Sequence, residues 1–378
     1  MTPRERINAA MNLMPVDKIP LMCQLSIGHM LMQLKISPVE FWFDPFTFAN
    51  GLIKLREMYD FDGILISLHG HDPNWRDVID RIYSTEEYEI VEWKNGDKTF
   101  CPYNDLPFYK SKYQKEEIDL TKLVEDNLPT ELNYIPVSQN LHFHINGDHK
   151  FDIINYIIKK TGNNYSIHGE LTSPFDYLLD YIGLNNSMLA LIDDPEKCLM
   201  ILSHFTKLIK QLAIEMCETG LDAIKISSPF AGAGFISPDD YRTFVLPFEK
   251  EIALAIREKD VHAYIHTCGE INDRLELMFE AGISGIECLD PPPLGNVELS
   301  EAVTRIGNKG FIKGNIDSVN LLLNSEEKEI IDDVRARIEI GSKKKGFIIS
   351  TACSIAPPVK KGNILLLRKI VDKYGVVK

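Results

Sequence analysis

The chain has 378 residues, of which 44% are hydrophobic and 25% charged, with a formal net charge of −14. That length can bury one large α/β barrel core or two ordinary domains, and the composition excludes a mainly disordered chain. The acidic balance argues against nucleic acid or an anionic membrane as the principal partner.

Thr2 followed by Pro3 opens an amphipathic helix to residue 13, since a capping hydroxyl and a proline at the first helical position both favour a helix start. Eight apolar runs of strand type follow, at 18–24, 63–67, 164–170, 223–227, 263–266, 285–288, 310–315 and 346–350. Each tends to end on polar residues and is separated from the next by at least one helical pattern. Helices are expected at 237–259, 270–281, 298–306, 325–340 and 359–374. Strand and helix alternating eight times predicts a (β/α)₈ TIM barrel forming one domain over 1–378, with its chemistry at the C-terminal ends of the strands. A two-domain dinucleotide fold is the main rival, but no Gly-rich phosphate fingerprint follows the first strand.

Residues 73–150 break the alternation. Glu87–Trp93 and Lys98–Cys101 around Asn95-Gly96 read as a β-hairpin with a type I′ turn. So long a connection is unusual without a function, and it is expected to be an insertion over the barrel mouth after the second strand. No apolar run approaches the roughly 20 residues needed to span a bilayer. The charged start, Met1-Thr2-Pro3-Arg4-Glu5-Arg6, gives no expectation of a signal peptide. Seven scattered cysteines suit a reducing compartment, so the expected location is cytoplasmic.

Two strand ends carry soft ligands. His266-Thr267-Cys268 ends the fifth run, and Cys353 lies just beyond the eighth. One imidazole and two thiolates suit Zn²⁺ and leave a fourth tetrahedral position open, as in catalytic sites.

The stretches 2–24, 61–67, 168–175, 222–290, 313–317 and 346 onward resemble the uroporphyrinogen decarboxylase superfamily, which contains metal-free porphyrinogen decarboxylases and zinc methyltransferases working with cobalamin on a corrinoid protein. The decarboxylases carry an Arg-Gln-Ala-Gly-Arg motif after the first strand, where this chain reads Cys23-Gln24-Leu25-Ser26-Ile27-Gly28-His29. Their catalytic aspartate beyond the second strand corresponds to Leu68 and His69 here, and their late histidine to Cys353. His-x-Cys after the fifth strand and Cys after the eighth match the methyltransferases. The resemblance therefore implies a Zn²⁺ held by His266, Cys268 and Cys353, with cobalamin carried by a partner corrinoid protein.

Glu287 is a candidate catalytic group or displaceable fourth ligand, and Glu170 and His69 are further catalytic candidates at strand ends. His71, Asp72, Asn315 and Asp317 are possible substrate contacts, and the run Lys343–Lys345 is a solvated helix end that could meet an acidic partner. Phe41, Trp42, Phe43, Trp75, Trp93, Tyr103 and Tyr109 offer aromatic surface enough to grip a methoxylated aromatic. They tilt the expected reaction towards O-demethylation, with methyl transfer from the corrinoid to a thiol such as coenzyme M as the alternative. A metal-free decarboxylase-like enzyme and a non-catalytic accessory protein complete the alternatives.

Overall fold

The computed structural model describes residues 1–112, 118–138 and 141–377. The opening helix, Pro3–Met11, forms as expected: Thr2 accepts from the Glu5 amide and Glu5 reaches back to Thr2, satisfying two otherwise orphan donors. The first expected strand, 18–24, does not form. Leu21 and Leu25 make only isolated parallel bridges, to Ile349 and Ile355. Pro20 has no N–H to give, and the Leu21 amide donates 2.7 Å to the side chain of Asp62 rather than to a neighbouring strand. The backbone still lies between two strands, because Met22 N donates to Ile349 O at 3.1 Å and Asp62 N to Leu21 O at 2.8 Å. Arg6 and Arg368 grip the same Asp62 carboxylate at 2.6 and 3.0 Å.

The first regular strand is β1 (Gly63–Ile66). The segment after it holds β2 (Ile79–Ser84), β3 (Tyr88–Trp93), β4 (Lys98–Pro102) and β5 (Phe108–Lys110) in one antiparallel sheet, and β6 (Tyr134–Ser138) with β7 (Leu141–His144) in another. The expected hairpin is β3 with β4, pairing Glu92 with Lys98. Its turn is not type I′: the connection has four residues, Trp93 N donating to Asp97 O, and among the described residues of the turn only Gly96 has positive φ. A type I′ turn needs positive φ at both central positions. Two further strands and the second sheet escaped the sequence reading, because short, half-exposed strands such as β5 lack clean alternation.

From there strands and helices alternate: β8 (Ser166–Thr172), β9 (Ala223–Ser227), β10 (His262–Thr267), β11 (Gly285–Cys288), β12 (Phe311–Ile316) and β13 (Phe347–Thr351). With β1 they form one seven-stranded parallel sheet in the order β1-β8-β9-β10-β11-β12-β13. Its strands are buried on both faces, Phe311–Ile316 and Phe347–Thr351 at every residue, which is why they read as nearly continuous apolar runs. The helix expected over 237–259 is two, Pro238–Phe244 and Leu246–Arg257, broken where Pro247 removes a backbone donor.

Candidate metal centre and its cavity

His266 is the penultimate residue of β10, Cys268 follows that strand, and Cys353 follows β13. β10 and β13 are three places apart in the sheet, about 14 Å if it were flat. Yet Cys268 Sγ and Cys353 Sγ are 3.8 Å apart and His266 Nε2 is 3.2 Å from Cys268 Sγ. The sheet therefore curls until its strand ends converge. One ring nitrogen of His266 and both sulfurs all lie within 4.8 Å of one another. Tetrahedral Zn²⁺ with ordinary bond lengths spaces two sulfurs by about 3.8 Å and a nitrogen and a sulfur by about 3.6 Å. The donors fit that ion in chemistry and in spacing.

Glu287 does not join this triangle. Its Oε2 sits 3.0 Å from Nδ1 of His266, on the side of the ring away from the sulfurs, where a carboxylate orients a ligating imidazole. Its other oxygen is paired with Lys313, and Lys225 lies 3.7 Å from Oε2. Lys225 also reaches Glu170 at 3.0 Å and Gln24 at 2.8 Å. Lys225 and Lys313 are fully buried, so two cations and two carboxylates neutralise one another beneath the cysteines. Burial alone would push Glu287 up, but Lys313 and Lys225, then His266, hold it well below the usual carboxylate range. Burial also opposes charge on His266, yet Cys268 and Glu287 outweigh it and raise the imidazole to about 9. The Cys288 and Cys353 thiols, with His266 alongside, hold Cys268 well below the usual thiol range. A divalent ion on both sulfurs would displace those protons.

The triangle opens into a cavity of about 450 Å³, lined by Gln24, Glu170, His266, Cys268 and Cys353 at the strand ends and by Leu106, Ile135, Pro136 and Val137 from the segment after β1. That volume suits a small-molecule site. A larger groove of about 700 Å³, lined by Lys343, Lys344 and Lys345, lies at the opposite end of the strands. The lysine run is thus remote from the candidate metal site.

Several expected contacts lie elsewhere. His69 is buried outside the cavity lining: Nδ1 pairs with Lys150 O at 3.0 Å, Nε2 has no partner among the described residues, and burial pushes its pKa down to about 4. His71 bonds to Trp42 O. Asn315 donates to Leu289 O and accepts from Arg337, and Asp317 accepts from the Val319 and Asn320 amides. Asp72 is exposed. None of the seven aromatic residues expected to grip substrate lines the cavity. Phe41, Trp42 and Trp75 are core residues, and Phe43 stacks on Trp75 and meets Trp93 edge-on. These rings seat the helix Pro38–Phe43 against the four-stranded sheet. Sequence reasoning missed Lys225 and Lys313, whose signal was a lysine flanked by isoleucine inside each of two buried runs. It also missed Asp176, which lines the cavity from the helix Pro174–Ile182.

The family model for uroporphyrinogen decarboxylase (URO-D) matches residues 129–374. The chain is 26% identical over 379 residues to methylcobamide:CoM methyltransferase MtbA of Methanosarcina acetivorans, covering 99% of this chain and 98% of that one. It is 24% identical to the uroporphyrinogen decarboxylase of Chlorobium phaeobacteroides, over 69% of this chain and 71% of that one. Among solved structures, a methyltransferase from Methanosarcina mazei superposes with a TM-score of 0.72 at 19% identity, covering 99% of both chains, and so shares the fold.

Proposed function

Because the chain belongs to the uroporphyrinogen decarboxylase (URO-D) family, we propose that it is a methyltransferase moving a methyl group between the cobalt of a corrinoid carrier and a thiol, at a Zn²⁺ held by His266, Cys268 and Cys353. The observation that carries this reading is the triangle of one imidazole nitrogen and two sulfurs, 3.8 Å between the sulfurs, at the floor of a cavity. A similarity running the full length of a methyltransferase supports the methyl-transfer branch over decarboxylation. Zn²⁺ bound there would supply Lewis acidity, lowering the pKa of a thiol or polarising an ether oxygen.

The chain's own groups prepare the site. Glu287 accepts from Nδ1–H of His266 and so leaves Nε2 to face the sulfurs. Lys313 and Lys225 keep Glu287 ionised and in place. Glu170 Oε2 is buried without a partner among the described residues, and the residue lines the cavity, where it would contact substrate. Leu25, Ile27, Leu68, Leu106 and Leu179 exclude water from the reacting atoms.

In this reading residues 18–25 complete a (β/α)₈ barrel as an irregular eighth member, and 73–150 is an insertion over its mouth within a single domain. The corrinoid carrier is a separate protein, and the seven free cysteines suit the cytoplasm. A second reading, O-demethylation of a methyl ether such as a methoxylated aromatic, uses the same site in the opposite direction. The apolar wall with Phe230 supports it.

The test takes zinc-loaded protein with methylcobalamin and coenzyme M, and separately with cob(I)alamin and a panel of methyl ethers, following the cobalt spectrum. Demethylation of methylcobalamin by the thiol is expected. Methylation of cob(I)alamin by an ether alone selects the second reading, and neither reaction sinks both.

A further inference from the structure

Methyl transfer to or from a thiol or an oxygen exchanges one proton at that atom. In the thiol direction the carbon–cobalt bond breaks, a carbon–sulfur bond forms, the electron pair stays on cobalt as Co(III) becomes Co(I), and the thiol proton must leave. Ether demethylation is the reverse, and the departing oxygen must gain a proton. The mechanism above assigns no group to that proton: Glu287 is tied to His266 and two lysines, and among the described residues Glu170 is the only other carboxylate paired with those lysines.

Asp176 lines the cavity together with His266, Cys268 and Cys353, and its residue is 7% exposed. Its Oδ2 accepts from Ser173 Oγ at 2.6 Å, and among the described residues Oδ1 has no hydrogen-bond partner. Behind it, Ser228 Oγ donates to Ser173 Oγ at 3.1 Å. Glu249 is fully buried and accepts from Tyr241 at 2.7 Å. No lysine or arginine pairs with either carboxyl among the described residues. Asp176 therefore presents to the cavity a carboxyl with no cation beside it, backed by two serine hydroxyls in series. Such a carboxyl is more stable neutral, because an unpaired buried carboxylate is costly.

We propose that Asp176 is the catalytic acid–base group of this methyltransferase, giving the proton to the substrate's heteroatom in demethylation and taking it from the thiol in methylation. The proposal rests on the methyl-transfer reading. Burial raises the Asp176 carboxyl to about 8, Ser173 opposing it, while Glu249 and Cys268 add to it and His266 subtracts. Burial likewise raises Glu249 to about 7. An acid–base group titrating near neutrality serves both directions.

The experiment uses the full, zinc-loaded chain. The infrared difference between wild type and Asp176→Asn at pH 7 should carry a protonated carboxyl band that bleaches with a midpoint above the ordinary carboxylate range. In the methylcobalamin and coenzyme M assay, wild-type kcat should rise with pH through the same midpoint. Asp176→Asn should lose that limb and fall about 10²- to 10⁴-fold, while retaining its zinc. No carboxyl band at pH 7, or kcat within about threefold of wild type against that loss, overturns the proposal. Should Asp176→Asn not fold, Ser228→Ala must move the wild-type band and the pH limb together, and movement of one without the other overturns it equally. A wild type that transfers no methyl group removes the functional reading itself, whereas an active wild type with an equally active Asp176→Asn removes only this role.

Discussion

Glu287→Gln separates what the buried carboxylate does for the metal from what it does for the fold. The amide oxygen of Gln can still accept from Nδ1–H of His266 across the 3.0 Å contact, so the tautomer should persist. The charge is lost, however: of the two fully buried lysines, Lys225 keeps Glu170 while Lys313 has no other carboxylate partner among the described residues. Removing one partner from a buried pair costs about 3–5 kcal/mol, and that loss should appear in urea unfolding of the zinc-free protein. Altering a group that orients a ligating histidine weakens metal affinity by about 10- to 100-fold, which is about 1.4–2.8 kcal/mol. Competition with a chromophoric chelator, at a temperature where the variant is folded, measures that term alone. Zinc affinity within about twofold of wild type, well short of that range, would refute the positioning role, whatever the stability shows.

Cys353→Ala should lower bound zinc from one per chain to near none after dialysis, because two of three ligands remain; retention of a full equivalent by metal analysis contradicts the triangle. Gly28→Ala places a Cβ 2.2 Å from the Asn104 carbonyl oxygen, so the connection between β4 and β5 must shift. A loss of about 1–3 kcal/mol and faster proteolysis within residues 79–112 are expected, and an unchanged digestion pattern argues against that contact. His69 ends neutral, pushed down to about 4 by burial from an ordinary value of 6.5, so the unfolded chain binds more protons than the native one between those values. Its contribution is present above pH 6.5 and is lost on acidification, about 2 kcal/mol by pH 5. Wild-type stability should therefore fall more steeply than that of His69→Gln between pH 6.5 and 4, read from urea midpoints; equal slopes contradict a neutral buried imidazole. Leu179→Trp fills cavity wall without touching a donor, and should raise KM for thiol with zinc content unchanged.

The convergence of His266, Cys268 and Cys353 was legible because strand-end residues in a curled parallel sheet point to one place, so two short motifs 85 positions apart needed only the alternation of strands and helices to be brought together. That the first expected strand would not form was not legible, since the pattern of residues 18–24 does not reveal that Asp62, held by Arg6 and Arg368, takes the Leu21 amide. Aromatic residues were misleading for a related reason: rings are large apolar surfaces first, and Trp42 and Trp75 went to the core before any ligand could claim them. Asp176 was hidden by its own local role. Ser173-Pro174-Phe175-Asp176 reads as a helix start, with Ser173 accepting from the Asp176 amide, and that explanation is sufficient for the residue until the cavity is seen on its other side. Lys225 and Lys313 made the opposite error possible, because charges inside apolar runs have no local explanation at all. Each buried lysine in a strand needs a carboxylate beside it, and the carboxylates reached are Glu170 and Glu287, both already candidates as strand-end residues. The misplaced charge in the string was thus the better pointer to the site's architecture, and the well-placed one to its chemistry.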